Sequence, residues 1–205
     1  ISELYNVKST FFFMTPTGLS EYDGLYYIDH PDIVNLIKHI TARGHNIGIH
    51  PSYASYNNPE IIKDNVNRLC EVMNQSGIKC RIGGRQHYLR WKVIDTWQGY
   101  EDAGLLYDTT LIFQDYIGFR CGICYDYQCF NLITRQRLQL REFPLIIMEG
   151  VAFHEMKLSE ENVVDCSIKL KSMCKKYNGN FVVLWHNDKF IESKMDRTYN
   201  KILQW

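Results

Sequence analysis

Three histidines and one arginine stand out in this chain, because each falls just where an apolar, strand-like run stops. His50 closes the run over residues 45–50, Arg85 and His87 follow the run over 78–82, and His186 ends the run over 181–186. Asp108 lies within a fourth run, residues 105–113. Imidazole exchanges protons near neutral pH and ligates metals, and guanidinium offers a rigid fork to carboxylates. A histidine at one strand end is more often a satisfied structural side chain. Successive strand ends are different, because in parallel α/β folds the loops leaving the carboxyl edge share one mouth. Arg120, in Gly118-Phe119-Arg120, is either a solvated loop arginine or a clamp for a carboxylate or phosphate of a substrate.

The elements that must position these residues alternate. Residues 6–14 are rich in Val, Thr and Phe and stop at Thr15-Pro16-Thr17-Gly18, as a buried strand entering a loop does. A helix is expected from Pro31, with Ile33, Leu36, Ile37 and Ile40 at helical spacing before Gly44, and a second from Pro59 to Gly77 with Ile62, Val66, Leu69, Cys70 and Met73 on one face. Further helices are expected over 92–103, 159–177 and at the carboxyl terminus. An irregular stretch from 114 to about 138 precedes a strand near 143–148. Six strands alternating with helices predict one α/β domain with parallel strands, in a barrel or a doubly wound sheet.

The 205 residues, 45% of them hydrophobic, can bury one sizeable core. Lys plus Arg and Asp plus Glu both number 23, so no long-range field favours nucleic acid or an anionic membrane, and a small or neutral partner is expected. No apolar run approaches the roughly 20 residues of a membrane span. Seven cysteines, three of them in expected helices, suit reduced thiols in a cytoplasmic compartment. The chain opens on Ile1, so a targeting segment would not be visible in it. Cys121-x-x-Cys124 with Cys129 nearby raises a structural metal or redox site, but lacks the second ligand pair or the helix-opening context that such sites use.

Taken together, these segments resemble the NodB-like polysaccharide deacetylases. Gly44-His45-Asn46-Ile47-Gly48-Ile49-His50-Pro51-Ser52 is similar to that family's histidine motif, and Lys8-Ser9-Thr10-Phe11-Phe12 resembles the strand before it. Arg85-Gln86-His87-Tyr88 falls where the family has Arg-x-Pro-Tyr, and Leu184-Trp185-His186 matches its late Leu-x-His. Tyr107-Asp108-Thr109-Thr110 and Glu142-Phe143-Pro144 resemble stretches of divergent branches. The pieces keep family order over almost the whole chain.

The resemblance implies a distorted, incomplete (β/α)7-type barrel whose first strand, carrying paired aspartates, is missing, with an open edge beside residues 8–14. It implies a metal-dependent hydrolase that removes an acyl group, N-acetyl above all, from a sugar or polysaccharide, with zinc as the expected divalent metal. His50 takes the first histidine ligand position. Ala54 stands where the family's second would be, so His87, in place of the family's proline, is the candidate replacement. His186 would protonate the leaving amine, and Arg85 would orient a carboxylate base. Asp108, Tyr88, Trp185 and Arg120 are the expected substrate contacts. The alternative is a catalytically degenerate fold of this kind that binds carbohydrate without hydrolysing it.

Overall fold

The computed structural model describes residues 1–15 and 20–204. The expected loop residues Pro16, Thr17 and Gly18 lie outside the described residues. The chain forms two compact units, one of Lys8–Thr110 and Tyr127–Glu142 and one of Ile1–Val7, Leu111–Asp126 and Phe143–Trp205.

The first of these is built on five strands: β1 (Thr10–Met14), β2 (Asn46–His50), β3 (Tyr107–Asp108), β4 (Tyr127–Asn131) and β5 (Gln136–Glu142). β1 pairs parallel with β2, β3 parallel with β5, and β4 antiparallel with β5. Gly84 joins the two halves through single parallel bridges to Ile49 and Asp108. The order is therefore β1-β2-Gly84-β3-β5-β4. Among the described strands β1 pairs with β2 alone, so the ladder in this unit is an open sheet and no closed barrel is formed here.

Three helices cover it: α1 (Pro31–Ala42), α2 (Pro59–Gln75) and α3 (Asp95–Asp102). Proline in the first turn suits α1 and α2, and the Asn58 side chain caps α2 by accepting from the Ile61 N–H at 3.3 Å. α2 buries Ile62, Val66, Leu69, Val72 and Met73 against Ile47, Ile49 and Ile82. At roughly 1.5–3 kcal/mol per fully buried aliphatic side chain, this face rather than helix propensity holds α2 in place.

Several expected strands are corrected. Residues 78–82 form no strand; the ladder is entered two residues later, with Ile49 N–H bonding to Gly83 O and Arg85 N–H to Ile49 O, both at 3.0 Å. Only glycine fits there, since a Cβ on Gly83 would lie 2.3 Å from the Tyr107 ring and one on Gly84 2.5 Å from the Tyr100 ring. The expected strand over 105–113 shrinks to β3, and the stretch expected to be irregular contains β4 and the start of β5.

The second unit holds the parallel pair β6 (Ile147–Met148) and β7 (Val183–Leu184) with α4 (Glu160–Lys176) and α5 (Ser193–Leu203). A π-helical turn at Val151–Glu155, which periodicity did not announce, follows β6. Ile146, Ile147, Val151, Ala152, Val163, Met195 and Ile202 form its own core.

The expectation of uniformly reduced cysteines is also corrected. Cys70 on α2 and Cys80 are joined in a disulfide, while Cys121, Cys124, Cys129, Cys166 and Cys174 are free. A disulfide removes the basis on which a cytoplasmic location was expected. Among the described residues no helix is long and apolar enough to cross a membrane.

Candidate metal centre and its surroundings

Three loops leave the carboxyl edge of the sheet at His50, Arg85 and Thr109, and a web of side chains fastens them. Asn65 of α2 accepts from Ser52 N–H at 2.7 Å and its carbonyl accepts from the Thr15 hydroxyl at 3.0 Å. Ser55 donates to Gln86 Oε1 at 2.9 Å, and Gln86 N–H donates to the Thr110 hydroxyl at 3.0 Å. The web is almost wholly buried, so its hydrogen bonds stand without competition from water.

It brings His50 and His87 together. His87 Nδ1 lies 3.0 Å from His50 Nε2. The outer nitrogens face backbone carbonyls, His50 Nδ1 at 2.6 Å from Arg85 O and His87 Nε2 at 2.7 Å from Tyr22 O. A carbonyl can only accept, so both outer nitrogens carry a hydrogen. In two neutral rings the inner nitrogens then meet lone pair to lone pair. That contact becomes favourable only with a third proton or a metal cation between them. Tetrahedral zinc with Zn–N of about 2.05 Å separates two ligating nitrogens by about 3.3–3.4 Å, a few tenths more than here. Ligand histidines also commonly give their other N–H to a backbone carbonyl. The spacing suits a shared proton as it stands and a divalent ion after a shift of a few tenths of an ångström, and among the described residues no set of three His, Cys, Asp or Glu converges.

Arg85 does not meet a catalytic carboxylate among the described residues. Its Nε donates to Thr109 O at 3.1 Å, Nη2 reaches the Thr109 hydroxyl at 3.4 Å, and its guanidinium lies 4.4 Å from the centre of the Phe12 ring. Burial pulls it down to about 10, against the opposing pull of Tyr107, Asp108 and Glu142, so it stays charged at neutral pH.

Asp108, expected to face substrate, is wholly buried instead. It accepts from the Thr110 hydroxyl and, at 3.1 Å, from Trp97 Nε1, and it is hydrogen-bonded to Glu142 beside it on β5. Two carboxyls can share a hydrogen bond only if one is protonated. Burial pushes Asp108 up to about 6, offset in part by its hydrogen bonds. The acid pair is a buried structural group next to Arg85.

His186 belongs to the second unit. Glu149 directly follows β6 and His186 stands two residues after β7, one step beyond Glu149 in the parallel register, and His186 Nδ1 hydrogen-bonds Glu149 Oε1. Glu149 is buried and His186 half exposed. A buried carboxylate accepting from Nδ1–H fixes the tautomer and puts the ring's lone pair, where proton exchange occurs, on Nε2. Glu149 was missed from sequence, although the rule that found the histidines, a titratable residue just past an apolar run, would have found it.

The remaining expected contacts divide. Tyr88 is exposed and sits against His87, with ring centroids 4.7 Å apart. Trp185 is not an open platform; its ring packs on Phe153 and Tyr199 in the second unit. Arg120, also in that unit, donates to Ile112 O at 3.0 Å and remains exposed.

No family model matches the chain, and no curated protein matches it. Among solved structures, the crystal structure of a protein from Mycobacterium smegmatis, provisionally assigned as a polysaccharide deacetylase, aligns with a TM-score of 0.62 and 16% identity. The alignment covers 98% of this chain and 68% of that one. At that identity the likeness shows the fold.

Proposed function

We propose that the chain is a deacetylase-type hydrolase that removes an acyl group, N-acetyl above all, from a sugar or polysaccharide, with a divalent metal, zinc in the first instance, held by His50 and His87. The observation that carries this reading is the meeting of two imidazole nitrogens at 3.0 Å whose outer partners are both carbonyls. When bound, such an ion polarises an acyl carbonyl and lowers the pKa of a water to about 7.

The chain's own residues do the rest. The Arg85 and Tyr22 carbonyls hold both rings in the ligating tautomer. Arg85 keeps its loop against Thr109 and so keeps its own carbonyl under His50. His186, which belongs to the other unit, is suited by its own bond to the buried Glu149 to general-acid work. The fold likeness supports the substrate class.

One observation favours the alternative, a carbohydrate-binding module on the same fold: the Arg85 fork is engaged by Thr109 rather than by a base. Acetate release from N-acetylated oligosaccharides separates the two. The hydrolase reading expects turnover that a chelator abolishes, zinc restores, and His50→Ala removes. Binding without turnover under zinc would establish the module instead.

A further inference from the structure

Beside His87 the structure gathers rings that the metal pair does not need. Tyr22, Tyr53 and Tyr88 come from three different loops, those following β1, β2 and the Gly84 bridge, and all lie within one cluster. Tyr22 and Tyr53 are 4.5 Å apart, Tyr22 and Tyr88 5.8 Å, Tyr53 and Tyr88 5.5 Å, each between ring centroids. The cluster is braced from behind. Arg90 stacks between Tyr53 and Tyr56 at 4.0 and 3.9 Å and donates to Tyr53 O at 2.8 Å, while Asp23 accepts from Tyr53 N–H at 2.7 Å.

Two features are unexplained by packing. Tyr22 is 48% and Tyr88 65% exposed, so these large rings are left in solvent rather than in the core. Tyr88 and Leu89 also have φ of 56° and 52°, the left-handed region that non-glycine residues enter at a cost. Strain of this kind persists where surrounding structure over-determines it, and it gathers at ligand sites.

We infer that Tyr22, Tyr53 and Tyr88 form a sugar subsite that stacks an uncharged pyranose ring next to the His50–His87 pair. This rests on the hydrolase reading for its place in the reaction, but not for binding itself. The ligand is neutral because the one guanidinium in the cluster is enclosed between two rings and the nearby carboxylate, Asp23, would repel an anion.

The test is calorimetric titration of the chelator-treated chain with the hexamer of β-1,4-linked N-acetylglucosamine, and with cellohexaose. Wild type should bind at least one, and Tyr88→Ala and Tyr22→Ala should each weaken binding about tenfold. Tyr88→Phe should keep it, as should Tyr125→Ala, an exposed tyrosine on the second unit. Unchanged thermal unfolding excludes a folding defect in the alanine variants. No binding of either oligosaccharide, or undiminished binding by both variants, overturns the subsite. Binding that depends on the tyrosines without acetate release under zinc would leave the subsite standing and remove the hydrolase; turnover with unaltered binding in the variants would do the reverse.

Discussion

Replacing Asp108 by asparagine should change how stability depends on pH. The carboxyl is wholly buried, and burial raises it from 3.8 to about 6. In the unfolded chain it returns to about 3.9. Between about pH 4 and pH 6 the folded state holds a proton that the unfolded state has lost, so the free energy of unfolding falls as pH rises through this window and levels off above it. Two units at about 1.4 kcal/mol each put the loss at about 3 kcal/mol. Asp108→Asn removes this titration but weakens the acceptor for Thr110 and Trp97, at a cost of about 1–3 kcal/mol. The variant should therefore be the less stable protein at pH 4.5, where part of the loss has already occurred, and should recover about 2 kcal/mol relative to wild type by pH 7.5. Urea unfolding at the two pH values, with m compared, reads this directly. An equal difference at both would refute the buried acid pair as a proton-holding group.

Three other substitutions follow from the geometry. Gly83→Ala places a Cβ 2.3 Å from the Tyr107 ring and should destabilise by about 1–3 kcal/mol in urea unfolding, whereas Gly77→Ala, at an open site with φ of 74°, strains the backbone without a clash and should cost about 1 kcal/mol. Glu149→Gln offers His186 Nδ1 a group that can also donate, and should lower kcat by about 10²-fold or more with little change in KM if proton transfer runs through that ring.

The helices were legible where apolar spacing agreed with end signals. α1 and α2 begin at the prolines that marked them, and α4 begins after Ser159, whose side chain accepts from the Asn162 N–H. β5 was not, although Leu138, Leu140 and Glu142 alternate inward with Gln and Arg between them. An inward glutamate breaks the apolar alternation that marks a strand, and its reason, the acid partner Asp108, lies 34 residues away on β3. Gly83 and Gly84 lie beyond the strand expected over 78–82 yet enter the ladder, and the rings that exclude a side chain there belong to Tyr107 and Tyr100, far off in sequence. Of the site, His50 and His87 were legible as neighbours through the strand-end rule; the carbonyls that fix their tautomers were not, since backbone acceptors leave no mark on residue type.

Equilibrium dialysis against zinc bears most directly on the His50–His87 centre. Wild type should hold one zinc per chain, and His50→Ala and His87→Ala should each weaken binding by about 10²-fold or more, because each removes one of the two facing nitrogens. Tyr88→Ala, which leaves both nitrogens in place, should retain the metal. Equal zinc stoichiometry and affinity in wild type and both histidine variants would contradict the assignment.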